Sequence, residues 1–273
     1  MNRCVETCEF RSDRVVIFEF NGKKYKTAST HQKEWGTGLI AEIPLTGNER
    51  ILDLGCGDGV LTQRLAELVP KGSVLGIDAS AGMIDAAKEL EQGNLAFRRL
   101  DINEMVFENE FDLVFSNAAL HWILDHERLL GKVYRALKPG GMARFNFAGD
   151  GNCVHFFAVV REVMGEPLFR EHYKLFSWPW YMPAVDEYKA LVNRYDFREA
   201  LIWEENADRY FSDREGMIRW IDQPSIVPFL QYLPDDKKAA FRFAVVKGMI
   251  EQTLQADGTC FETFRRINLL AWK

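Results

Sequence analysis

The chain has 273 residues, of which 47% are hydrophobic, 13% aromatic and 27% charged, and its net charge is −6. Apolar material in that proportion supports one large core, or a core with a substantial insertion, and excludes a disordered chain. No apolar run approaches the ~18–20 residues of a spanning helix, and an acidic balance suits a small-molecule partner better than a nucleic acid or a membrane.

The charged start, MNRCVETCEFRSDR, lacks the apolar stretch of an export signal. Five cysteines (Cys4, Cys8, Cys56, Cys153, Cys260) form an odd, scattered set, unlike a disulfide framework. Both features lead us to expect a reducing cytoplasm. Asn21-Gly22 between VVIFEF and KKYK predicts a hairpin, and THQKEWGTGLIAEI predicts a helix, so residues 1–45 read as a hairpin with a lid helix. From Arg50 to Phe147, short apolar runs (RILDL, VLGID, LAFRRL, FDLVFS, MARFNF) alternate with amphipathic stretches (VLTQRLAELV, AGMIDAAKELEQ, HERLLGKVYRALK). That alternation predicts an α/β core over 46–150 with a mostly parallel sheet. Pro70-Lys71-Gly72 and Lys138-Pro139-Gly140-Gly141 are expected to stop two of its helices. Residues 151–258 turn aromatic-rich and helical, with one further strand near 198–205, and 259–273 reads as a closing strand. The plan is about seven strands with a late helical insert.

The stretch Asp53-Leu54-Gly55-Cys56-Gly57-Asp58-Gly59 runs from a strand straight into a helix. Alternate glycines let a ligand approach the main chain and the helix N-terminus. Asp78 ends the next strand, where a carboxylate can take both hydroxyls of a ribose. Dinucleotide loops read G-x-G-x-x-G; here the spacing is G-x-G-x-G, flanked by Asp53 and Asp58, which repel a pyrophosphate but suit an ammonium and a sulfonium. No P-loop pattern occurs.

This motif, followed by Gly76-Ile77-Asp78, resembles the first two motifs of class I S-adenosylmethionine (SAM) methyltransferases. Leu100-Asp101-Ile102, Asp112 to Asn117 and Leu137 to Gly141 resemble the later motifs, in family order. The resemblance implies a Rossmann-like fold with SAM as cofactor and S-adenosylhomocysteine (SAH) as product. It places Gly55, Gly57 and Gly59 along the methionine and ribose, with Cys56 and Ala79 beside them. It gives Asp53 the amino group, Asp78 the ribose diol, Asp101 and Ile102 the adenine, and Asn117 the reactive end. Met83 reads equally as an adenine contact and as helix packing.

The run Asn117-Ala118-Ala119-Leu120-His121-Trp122 borders the expected reactive end, and within the superfamily it resembles trans-aconitate-type methyltransferases. So does Tyr25-x-x-x-Ser29-x-x-Gln32-x-x-Trp35. The resemblance implies a small acid as acceptor, with Tyr25, Gln32, Trp35 and Trp122 at the substrate. Gln32 and Trp122 would orient its carboxylate with neutral N–H donors, as some carboxyl methyltransferases outside this subgroup do. A carboxylate needs no general base, because it is already ionised. Alternatives stay open. Trp122 also suits a core seal and Gln32 an exposed helix position, while His121 offers a base for a carbon or nitrogen acceptor. A SAM- or SAH-binding protein without turnover is the more distant rival. His121, His126, Cys4 and Cys8 lack metal-ligand spacing, so no metal is expected. Phe176, Trp178, Trp180 and Tyr181 read equally as a pocket roof and as a plug fixing the insert. Arg144, Arg161, Arg194 and Arg219 are unranked candidates for a second substrate carboxylate, and a monomer or homodimer is expected.

Overall fold

Strand β1 (Arg50–Leu54) is buried at every residue after the first. Such a continuously buried run is what a strand shows when helices cover both faces of its sheet. A computed structural model describes residues 30–273; the predicted hairpin, Cys4, Cys8 and Tyr25 lie outside them. β1 pairs in parallel with β2 (Ser73–Asp78) and β4 (Phe111–Asn117). β3 (Leu95–Arg99) adds beside β2, and β5 (Leu137–Ala148) beside β4. β6 (Glu199–Asn206) and β9 (Arg265–Trp272) complete seven strands in the order β3-β2-β1-β4-β5-β9-β6. β9 runs antiparallel to both its neighbours. The order reverses between β1 and β4, where open α/β sheets hold their ligands.

One face packs on α4 (His126–Ala136) and α6 (Val185–Val192), through Leu54, Val114, Phe145 and Leu269. The other packs on α1 (Thr30–Ala41) and α2 (Val60–Leu68), through Ile51, Leu113 and Phe115. α3 (Ala81–Ala87) is capped by Ser80, whose Oγ accepts from Met83 N at 3.3 Å. α4 is capped by Asp125, whose Oδ1 accepts from Arg128 N at 2.8 Å.

A separate apolar cluster forms the cover. It is built by α5 (Val154–Gly165), α7 (Arg214–Trp220), α8 (Val227–Leu230) and α9 (Asp235–Thr253), around Phe156, Trp220, Phe229 and Phe241. The cover carries a two-stranded sheet, β7 (Arg209–Phe211) with β8 (Cys260–Glu262), so the stretch read as one closing strand divides in two. Lys138-Pro139-Gly140-Gly141 also differs from expectation. α4 already ends at Ala136, and these residues bulge between the Phe111↔Leu137 and Leu113↔Met142 pairs. Gly140 is left-handed there (φ 80°), and its N–H donates to Lys273 O at 2.9 Å. β4 reaches Asn117, one residue beyond the expected Ser116. Among the described residues, no helix is long and apolar enough to cross a membrane.

Candidate active site

The loop after β1 is tied to the end of β2: Gly55 N and Cys56 N both donate to Ile77 O, at 2.8 and 3.0 Å. Gly55 is left-handed (φ 71°), and a Cβ there would overlap the Cβ of Ala119. The glycine therefore lets the loops after β1 and β4 close on each other. Gly59 (φ 80°) meets a different demand, because a Cβ would stand 2.7 Å from the Phe97 ring. It packs α2 onto the sheet.

Gly57 N donates to Asp78 Oδ2 at 3.1 Å and Ser80 N to Oδ1 at 2.9 Å, so both carboxylate oxygens are held by main chain. Asp101 begins a short 3-10 turn over Ile102–Glu104, and its Oδ1 accepts from Asn103 N at 2.8 Å. Gly55, Gly57, Asp78, Ala79, Met83, Asp101 and Ile102 all line one end of a single cavity. Met83 is 4% exposed, so it lines the cavity and packs the helix at once.

Two residues expected at the cofactor stand elsewhere. Asp53 points from β1 toward α2, is 2% exposed, and accepts from Thr62 Oγ1 at 2.7 Å; it is not on the cavity wall. Burial pushes its carboxyl up to about 7, helped by the Asp78 charge and opposed by the Thr62 bond. Cys56 is buried beneath the loop among Ile51, Val74 and Phe97, also off the wall, and burial raises its thiol well above the ordinary value. Strand and turn geometry aim both side chains away from the ligand side. Gly59, packed under Phe97, likewise contributes no wall.

The opposite wall begins at the end of β4. Ser116 Oγ donates to Leu54 O at 2.7 Å, and Ala118 takes a left-handed conformation (φ 55°), strained for a residue with a Cβ. Its N–H donates to Asn146 O at 2.7 Å, which holds the turn. Asn117, His121 and Trp122 then line the cavity. Burial, with Arg266 and His126 nearby, holds His121 well below its ordinary value, so the ring is neutral. His126 is a latch behind the wall. Its Nε2 lies 2.9 Å from the Leu120 carbonyl and therefore carries the proton, while Nδ1 accepts from the Tyr188 hydroxyl at 3.2 Å. Burial lowers it to about 4.

The aromatic group from the cover divides its labour. Trp180 lines the cavity and lies 5.2 Å from Trp122, ring to ring. Phe176 and Trp178 pack inward on Phe229, at 5.2 and 5.8 Å. Tyr181 packs on His126 at 4.8 Å, and its N–H donates to His121 O at 2.9 Å. Trp35, from α1, reaches the wall between Arg209 and Arg266, whose guanidinium carbons lie 5.2 and 4.7 Å from its ring. Gln32 belongs to α1 as well, but its side chain lies outside the described residues.

Sequence reasoning missed Asn152, Cys153, Trp220, Phe264 and Arg266, all on the wall. None of the four arginines considered reaches it. Arg144 is bound to Glu42, Asn268 and Phe145 O; Arg161 lies over Trp178; Arg194 faces Glu127; Arg219 is on α7. The overlooked signal was Arg265-Arg266 at the head of β9, because strand alternation must turn one of two neighbours inward.

A family model described as a methyltransferase domain matches residues 51–141. The chain is 44% identical over 240 residues to a trans-aconitate 2-methyltransferase of Deinococcus radiodurans, covering 85% of this chain and 90% of that one. To a trans-aconitate 2-methyltransferase of Methylobacterium nodulans it is 28% identical over 255 residues, covering 93% and 98%. Among solved structures it resembles phosphoethanolamine N-methyltransferase 2 of Haemonchus contortus, in complex with S-adenosyl-L-methionine. The TM-score is 0.59 at 20% identity, covering 92% of this chain and 56% of that one, a likeness of fold.

Proposed function

Since the chain belongs to the class I SAM-dependent methyltransferases, we propose that it esterifies a small acid, transferring the methyl group of SAM to a carboxylate oxygen. The cofactor end fits SAM: Gly55 and Gly57 keep the loop free of side chains, and Asp78, oriented by two main-chain N–H groups, suits a ribose diol. We assign Asp101, Ile102 and Met83 to the adenine, Ala79 to the ribose side, and Asn117 to the reactive end. Asp53 and Cys56 support the loop from behind. SAM supplies an electrophilic methyl group on a cationic sulfur.

The observation that carries the acceptor reading is the ring cluster of Trp122, Trp180 and the buried His121 on the cavity wall, with Trp122 lying 5.2 Å from Trp180 and 5.7 Å from His121. An amine or carbon acid must lose a proton to react, and an imidazole held far below its ordinary value is a weak acceptor for that proton. A carboxylate needs none. It needs positioning and exclusion of water, which suits Trp35, Trp122, Trp180 and Phe157 on the wall, and we assign the role of neutral donor to Gln32. The reading in which His121 acts as base is therefore not favoured. The trans-aconitate 2-methyltransferases similar to this chain support a small carboxylic acid as substrate, with turnover rather than silent binding. We place the enzyme in the cytoplasm, as a monomer or homodimer acting on no nucleic acid, because its cysteines are scattered and its net charge is −6.

The test is SAM-dependent turnover on small di- and tricarboxylates, read by SAH release and by mass of the methyl ester. Trans-aconitate and its close analogues are expected to give a base-labile ester, and in Asp53→Asn, which removes the carboxyl raised to about 7, the rate profile is expected to show no group titrating near neutrality. Turnover confined to amines, or a rate that follows an imidazole titration, would remove the carboxylate reading.

A further inference from the structure

Among the described residues on the cavity wall, Arg266 is the one cation. It is 3% exposed. Its Nε donates to Asn146 Oδ1 at 2.9 Å, its Nη2 lies 3.4 Å from Asn146 O, and its plane lies over Trp35. On the same wall, His121 Nδ1 is buried without a hydrogen-bond partner in the described structure. The acidic side chains Asp78 and Asp101 line the other end. The cavity thus has an anionic end and a cationic end.

Resting on the carboxylate reading above, we infer that Arg266, with His121 Nδ1 beside it, holds a second, non-reacting carboxylate of the acceptor, and so selects polyacids over monoacids. A guanidinium stabilises the anion it pairs with, and stabilising the attacking carboxylate would lower its reactivity. The reacting oxygen is therefore served by neutral donors, and the cation acts on a different group of the same molecule. The geometry suits that division. Asn146 and Trp35 fix the plane of the fork in advance, so little side-chain freedom is lost when a planar carboxylate docks. Burial, with the Arg266 charge nearby, keeps His121 neutral, and a neutral imidazole N–H can donate to the anion without adding a second buried charge.

The experiment is calorimetric binding, to the SAH-loaded protein, of trans-aconitate and of its three monoamides, each of which lacks one charge at nearly constant shape. In the wild type, one monoamide is expected to bind roughly 10–100-fold more weakly than the parent for loss of the Arg266 contact. In Arg266→Gln that discrimination collapses to about twofold while SAH affinity is retained. If the parent binds and Arg266→Gln still discriminates as the wild type does, the inference is wrong and the carboxylate reading survives. If the parent does not bind, both fall. Should Arg266→Gln lose SAH binding and so its fold, Arg266→Lys keeps the charge without the fork, and an acceptor affinity equal to wild type overturns the assignment. A wild-type series in which no monoamide loses more than about twofold overturns it as well.

Discussion

The two ends of the cavity are built differently. The cofactor end comes from one stretch between Gly55 and Asn103, and its working parts are main-chain N–H groups, left-handed glycines and carboxylates at strand ends. The acceptor end is assembled from Trp35, Trp122, Asn152, Trp180, Trp220, Phe264 and Arg266, scattered over more than two hundred residues. Main-chain geometry constrains residue type sharply, since only glycine tolerates certain φ values and close approaches. A wall of side chains constrains little beyond size and polarity, so many sequences can make it.

The largest expected effect tests whether the two ends are energetically separate. Phe241 is fully buried in the cover, 5.2 Å from Phe169 and 5.5 Å from Tyr173, ring to ring. Phe241→Ala should cost about 3–5 kcal/mol in denaturant unfolding. In the protein that remains folded, acceptor binding should weaken while SAH affinity changes less than about twofold; equal losses would break the contrast.

Next come two titrations of opposite sign. Asp53 is raised from 3.8 to about 7, so between those values the folded chain binds more protons than the unfolded one. Its contribution to stability therefore falls as pH rises through that window, by up to about 4 kcal/mol, and Asp53→Asn should remove that contribution from urea midpoints taken from about pH 4 to 8. His126 is lowered from 6.5 to about 4, so its contribution is complete above 6.5 and lost as pH falls toward 4. The loss is up to about 3 kcal/mol, and His126→Gln should remove it from the acid limb of the same curve. Between about pH 4 and 6.5 the two slopes oppose each other, so each is read as the difference between its variant and the wild type; variant curves parallel to the wild type would mean that these groups are hydrated in the folded protein.

The smallest effect sharpens the cofactor end. Gly55→Ala must hold a Cβ at φ 71° against Ala119. It should weaken SAH about 100-fold, or about 2.7 kcal/mol, by calorimetry. An unchanged affinity would show that the loop can shift without loss.

Much of the sheet was legible because buried parallel strands carry short, mainly apolar runs between amphipathic helices, as RILDL and FDLVFS do. The glycine loop, Asp78 and Asp101 were legible for the main-chain reasons above. Asp53 and Cys56 were assigned to the ligand by the resemblance, but the pleat and the turn face them into the core. Lys138-Pro139-Gly140-Gly141 looked like a helix stop and is a strand bulge, since a Pro-Gly turn can interrupt either element. The boundary between β8 and β9 was hidden, because one stretch rich in β-forming residues feeds two different sheets.

The amino-acid sequence by itself determined the α/β core and the glycine loop, because both rest on local backbone demands that leave fixed residue types at fixed spacings, and the resemblance of its motifs to a known family implied the chemical class. Only the tertiary structure decided which arginine meets the cavity, which of the clustered aromatics forms the roof, and that His121 is neutral. Those properties depend on burial and on neighbours remote in the chain. Arg266 makes the point: adjacent to Arg265 and identical to it in sequence terms, it is turned inward to Asn146 and Trp35 while Arg265 is turned out to Asp208. The pleat of β9 separates the two, and its packing against β5 and α1 makes one of them part of the site.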